Sequence, residues 1–232
     1  YEIMPSLVGS EMCIRDSAYI AYGDELVNVD FRDKPYIIIF HFSFLNAILP
    51  SERGGYYMNQ QAMDAILNRR SIRQYTSQPL STGEIKQLLT AAMSAPSCMN
   101  CRDWSFIVVT DKDMLQRMAA GNGKPADPLK QAAAGILICG DLLRTFSKAP
   151  EYWIIDCAIA AENICIAAQA MNIGSVWLGT WPQMERVKNQ SALFDLPEHI
   201  VPHSIIALGY PDGDPKPRPC IYEENRVHFE TW

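Results

Sequence analysis

The chain has 232 residues, 48% of them hydrophobic, enough for one large domain or two small ones around a packed core. Its formal net charge of -6 excludes a general nucleic-acid binder, which would need a basic face able to neutralise several phosphates. The seven cysteines are an odd set without a regular framework, and several lie in apolar runs, which points to a reducing cytoplasmic compartment.

Residues 1–57 carry no sustained helical or alternating period, and their 4 basic and 8 acidic side chains contrast with 16 and 18 in the remainder. Met4 to Ser17 resembles a peptide that adapter read-through produces at the ends of translated contigs. Glu52-Arg53-Gly54-Gly55 can be encoded by a purine-rich tract, which suits a ribosome-binding site two Tyr codons ahead of Met58. The expectation is that residues 1–57 are a non-native or disordered extension and that Met58 is the initiator. The competing reading is a genuine extension in which Tyr36 to Leu49 forms a buried strand or lies against a membrane. That run cannot span, since about 14 apolar residues interrupted by His41 and Asn46 fall short of the roughly 20 required. No basic region precedes an apolar one with a cleavage site, so no signal peptide is expected.

From Met58 the chain becomes periodic. Ala62, Met63, Ile66 and Leu67 share one face of a short helix that delivers Arg69 and Arg70 at its end. Ser81-Thr82-Gly83-Glu84 has the form of a capping box, and Ile85, Leu88, Leu89 and Ala92 follow at helical spacing. Phe106 to Thr110 and Gly135 to Gly140 read as buried strands, separated by a loop with Gly121, Gly123, Pro125 and Pro128. Ile154 to Met171 is almost wholly apolar or small, which predicts a helix buried all round. Ser175 to Leu178 and Ser204 to Leu208 are further strands, and the Pro-rich stretch Pro211 to Pro219 ends the compact part. The alternation predicts a mixed sheet covered by helices.

Four stretches could carry chemistry. Arg69-Arg70-Ser71-Ile72-Arg73 gathers three guanidinium forks and a hydroxyl, a donor set that suits phosphate oxygens. The loop Ala95 to Trp104 lies between a helix and a strand and contains Cys98 and Cys101. Those thiols could be a redox pair, half of a zinc site, or filler of small spaces; the four histidines supply no second pair at zinc-ligand spacing. Gly179, at the end of a strand, either admits a planar ligand to the backbone or makes a tight turn. Lys216-Pro217-Arg218-Pro219 is extended, so both cations can point to one side, or it is a basic tail.

Taken in order, the Arg-Arg-Ser-x-Arg opening, the Ala-Pro-Ser-x-x-Asn loop leading to Trp104, the Gly-x-x-Trp-Leu-Gly segment and the Lys-x-Arg ending resemble the nitroreductase family of FMN-dependent oxidoreductases. The resemblance covers essentially all of residues 58–232 and extends to Asp156–Met171 and Ala207–Pro211. It implies an α+β fold with a mixed sheet, a homodimer, and FMN at the interface contacted by both subunits. It further implies a ping-pong reaction from NADH or NADPH to a nitroaromatic, quinone or similar small acceptor, without nucleic acid or membrane. Carried over residue by residue, Arg69, Ser71 and Arg73 serve the FMN phosphate and ribityl chain, with Arg70 as neighbour, and Lys216 and Arg218 close on the phosphate. Ser97, Cys98 and Asn100 match the loop that reaches the flavin ring from the partner, and Gly179 and Thr180 the segment on its other side. No catalytic acid or base and no metal ligand is assigned. Arg102-Asp103-Trp104 departs from the Gln-Pro-Trp of many relatives, and Cys220 stands where a basic residue is common. Residues 120–130 and 144–152 are candidate lids. The alternatives are a flavin-binding redox sensor using Cys98 and Cys101, or a dehalogenating or flavin-fragmenting enzyme.

Overall fold

The computed structural model describes residues 17–22, 25–30, 60–214, 216 and 222–232. Two units divide the chain, Tyr1–Gly55 and Tyr56–Trp232. In the first, strands β1 (Ser17–Tyr22) and β2 (Glu25–Asp30) pair antiparallel. The expectations for Tyr36–Leu49, Met58, Arg218 and Cys220 fall outside the described residues.

The second unit runs α1 (Gln60–Asn68), α2 (Thr82–Met93), β3 (Trp104–Val109), α3 (Lys112–Asn122), β4 (Ala134–Asp141), α4 (Tyr152–Ala170), β5 (Gly174–Gly179), α5 (Met184–Leu193) and β6 (Ile200–Gly209). The four strands β3–β6 form an α+β sheet of order β3-β4-β6-β5, antiparallel at every pairing. The mixed sheet expected from the alternation is therefore corrected. Between β3 and β4 the chain runs along α3 and then through a 3-10 segment, Lys124–Lys130, and β4 enters with the opposite direction to β3. A helix between two strands fixes neither their direction nor their adjacency when such a return segment follows it.

The period of two along the central strands splits the core between the two sheet faces. Ile136 and Ile138 of β4 and Ile206 and Leu208 of β6 pack with Leu88 and Ala92 of α2 and Ile164 of α4. Leu137, Ile205 and Ala207 pack on the other side with Leu115 and Met118 of α3. The predicted capping box of α2 is present: the Glu84 amide donates to Ser81 Oγ at 3.2 Å and the Ser81 amide to Glu84 Oε2 at 2.7 Å. The Tyr210 hydroxyl donates to the other carboxylate oxygen of Glu84, which ties the start of α2 to the chain just beyond β6.

Helix α4 differs from the expectation of burial all round. Cys157, Ala160, Ala161, Ile164 and Ala168 face the core, while Ile155 is 51% exposed and Ala158 and Ile159 are half-buried. Its length and hydropathy would suit a bilayer, yet it packs on β4, β5 and β6. In α1 only Ala65 is buried, and Ile66 and Leu67, from the apolar face read in the sequence, are 50% and 45% exposed.

Candidate functional site

The arginine-rich segment is held at one end of the sheet. After α1 the Ile72 amide donates to the Ser175 carbonyl at 2.8 Å, and Ser71 bridges to Ser175 in parallel. Thr76 donates to the Tyr210 carbonyl at 2.9 Å, Tyr75 bridges to Pro211, and the Asp212 amide donates to the Gln74 carbonyl at 3.0 Å. The start of β5 and the end of β6 thus hold residues 71–76 together. Gly174 and Gly209 are partners across those strands. A Cβ on Gly174 would lie 2.8 Å from Ile72 Cγ2, and one on Gly209 would lie 2.9 Å from Tyr75 Cβ. The paired glycines form the seat of the segment. Tyr75 locks it, its hydroxyl donating to the carbonyls of Ile72 (2.6 Å) and Ala207 (3.2 Å).

This arrangement sets the first basic stretch beside the chain that leads to Lys216. Ser71, Arg73, Gln74, Pro211, Asp212 and Asp214 border a hollow of about 220 Å³, the size of a small head group. Lys216 is exposed and lies two residues beyond Asp214, within about 7 Å of backbone reach. Arg73 Nη1 donates to the Ser71 carbonyl at 3.2 Å, which directs the guanidinium along the segment. Arg69 is partly committed, its Nε 3.1 Å from Glu162 Oε1 of α4. Arg70 caps α1 through the carbonyls of Leu67 and Arg69. Asp212 and Asp214 are exposed, so water screens their opposition to an anion.

At the far end of β5, an added Cβ on Gly179 would meet nothing within 4 Å. The protein itself leaves that face open. Thr180 is fully buried, its hydroxyl donating to Asn122 Oδ1 at 2.9 Å. Asn122 Nδ2 and Arg186 Nη1 both donate to the Gly179 carbonyl, at 3.1 and 2.8 Å. Thr180 therefore fixes the turn through its side chain, and Arg186 adds a cation beside Gly179. Asn122, Arg186 and Tyr75 are not singled out by the sequence, and Gly174 and Gly209 appear there only within family-like stretches, because Tyr75–Ala207 and Asn122–Gly179 join positions 132 and 57 apart.

The loop after α2 sits on the N-terminal half of α4. The Cys98 amide donates to Asp156 Oδ2 at 2.9 Å, and Ser97 Oγ and Asn100 Oδ1 accept from the Arg102 amide (3.0 Å) and Arg102 Nε (3.1 Å). Met99, Asn100 and Arg102 all have positive φ, so side-chain contacts, not backbone preference, hold this shape. Cys98 and Cys101 are free thiols. Partial burial, then the Asp156 carboxylate, Cys101 and Asp103, push the Cys98 thiol up from its ordinary value. A raised thiol carries less thiolate, which weakens the case for a redox switch here. Asp103 and Asp156 are buried, and Asp103 is pushed up to about 6 by burial and then by Asp156. Within one chain, Ser97, Cys98 and Asn100 do not border the hollow formed by Ser71 and Arg73. No cluster of three metal-ligating side chains occurs among the described residues.

Residues 66–137 and 122–210 match the family model described as the nitroreductase family. A protein of Methanothermobacter thermautotrophicus, provisionally named an NADH dehydrogenase/NAD(P)H nitroreductase, is 37% identical over 178 residues, which cover 77% of this chain and 91% of its own. A crystal structure from Parabacteroides distasonis with the same provisional name superposes with a TM-score of 0.69 at 36% identity, over 74% of this chain and 99% of that one. An FMN-dependent nitroreductase of Clostridium difficile superposes with a TM-score of 0.68 at 28% identity, over 73% of this chain and 99% of that one.

Proposed function

Because the chain belongs to the nitroreductase family, we propose that it is an NAD(P)H-dependent oxidoreductase working through bound FMN. The observation that carries the reading is the pairing of residues 71–76 with the ends of β5 and β6, which sets Ser71 and Arg73 beside the stretch leading to Lys216. The donor set fits a phosphate, and the open space at Gly179 fits the approach of a flat ring. FMN, when bound, supplies hydride acceptance from NADH or NADPH and electron delivery to a nitroaromatic, quinone or similar acceptor, in ping-pong order. The chain's own residues bind and orient. Ser71, Arg73, Lys216 and Arg218 hold the phosphate, Arg69 and Arg70 support that segment, and Gly179 and Thr180 shape the surface beneath the ring. No side chain is required as a dedicated acid or base. In this reading residues 1–57 take no part, and the reducing cytoplasm suits the free thiols.

The site is completed in a homodimer, with Ser97, Cys98 and Asn100 supplied by the partner. Support comes from the uncovered apolar surface of α1 and α4. Ile66, Leu67 and Ile155 are exposed there, and Ile154, Ala158, Ile159 and Trp177 border a hollow of about 550 Å³. Covering the remaining half of such side chains is worth about 1 kcal/mol each, which supports a second copy as the cover. The Ile155→Glu variant is expected to sediment as a monomer and to lose FMN, whereas the parent sediments as a yellow dimer.

For the activity itself, the purified protein is expected to be yellow and to oxidise NADH or NADPH rapidly only when a nitroaromatic or quinone is present. Cys98→Ser should keep that turnover. Colourless protein that stays so after reconstitution with FMN defeats the enzyme reading, and turnover lost with Cys98→Ser would favour a redox role for that thiol.

A further inference from the structure

We propose that Asp103 and Asp156 share a proton, and that this carboxyl pair positions the loop Ser97–Arg102. Asp103 has no exposed surface, and beyond its own backbone N–H its carboxyl meets no N–H or O–H donor among the described residues. What lies against it is the carboxyl of Asp156, itself 2% exposed, whose Oδ2 holds the Cys98 amide at 2.9 Å. The groups that face Asp103 are Asp156 and Cys157 from α4, Asp141 at the end of β4, and Cys98 from the loop. None is a cation.

Two bare carboxylates in that space repel, and burial adds a desolvation cost for each. One shared proton resolves both: Asp103 donates to Asp156, and the single remaining charge is stabilised by the Cys98 amide. Asp103 is the fixed member, since its carbonyl accepts the Asp141 amide at 2.7 Å and the next residue begins β3. The member that can yield is the tether from Asp156 to Cys98. With the proton gone the two charges repel, and because Asp103 is fixed the displacement falls on Asp156 and, through it, on the Cys98 tether.

The sign follows from the shift. Asp103 moves from an ordinary 3.8 to about 6 in the closed fold. The pair therefore favours the folded chain fully below about 4, that advantage is lost as pH rises through about 6, and the order of the tethered loop is expected to change in the same direction.

The proposal deepens the flavin reading, because this loop is the one assigned to the partner's ring, but its first readouts need no flavin. Hydrogen exchange of peptides spanning Cys98–Arg102 is measured on the FMN-free protein against pH, corrected for intrinsic exchange. Protection should fall with rising pH in the parent. In Asp103→Asn, whose amide donates to Asp156 at every pH, it should be flat and higher than the parent at neutral pH. Asp156→Asn, which keeps an acceptor for the Cys98 amide, should also flatten the slope and serves if the first variant does not fold. At a pH above the range in which ordinary carboxyls protonate, the infrared carbonyl band of a protonated carboxyl should be present in the parent and missing in Asp103→Asn. A flat parent profile, an unchanged slope in the variants, or no such band overturns the pair. With FMN present, the dissociation constant should rise over the same interval in the parent only. Absence of FMN binding at every pH would overturn the flavin reading while leaving the exchange and infrared results to decide on the pair.

Discussion

Arg73→Ala is expected to weaken FMN binding by roughly ten- to a hundredfold while leaving riboflavin binding nearly unchanged. The charge-assisted contact to the phosphate is worth about 1.5 to 3 kcal/mol, and riboflavin has no phosphate to lose it. Arg73 borders the head-group hollow together with Ser71, and its guanidinium is directed along the segment by the Ser71 carbonyl. Arg69→Ala should cost less, since Arg69 already shares its charge with Glu162 at 3.1 Å. Arg73→Lys should restore part of the affinity, because an ammonium keeps the charge and loses the fork. Titration of flavin fluorescence with both ligands separates these outcomes. Equal weakening of FMN and riboflavin would remove Arg73 from the phosphate and place its effect on the fold.

What the chain order reveals about this site is uneven, for physical reasons. The capping box of α2 and the strand cores are local patterns, so Ser81, Glu84 and the apolar runs of β4 and β6 declare themselves within a few residues. The arginine segment is legible as chemistry, yet its place depends on Gly174 and Gly209, which lie more than 100 positions away and matter because they lack side chains. Nothing in the spacing of two glycines announces a seat. The direction of the sheet is not legible in the sequence, because helix and strand alternate in mixed and antiparallel folds alike. Helix α4 was read as enclosed because composition reports how apolar a helix is, not which molecule covers it. Asp103 stood out in the sequence only as a departure at a position where many relatives have proline. Its meaning appears once Asp156 is brought against it, 53 positions on, with no donor but its own backbone amide near its oxygens.

Gly209→Ala tests the seat directly. The added methyl would lie 2.9 Å from Cβ, Cγ and Cδ1 of Tyr75. Tyr75 has little room to retreat, being 6% exposed with its hydroxyl bound to two carbonyls and packed in the core with Val176 and Ala207. Overpacking of this kind costs about 1 to 3 kcal/mol, so the melting temperature should fall. Residues 71–76 must then shift, and FMN affinity should fall with them although Gly209 touches no ligand in this reading. Combined with Arg73→Ala, the second loss should be smaller than the first, since a displaced arginine has less contact left to lose. Gly179→Ala should behave in the opposite way. Its methyl meets nothing within 4 Å in the protein, so the FMN-free stability should hold. If the ring lies there, affinity for FMN and riboflavin should drop together. Gly209→Ala with normal stability would abolish the seat, and Gly179→Ala with normal flavin binding would move the ring away from the end of β5.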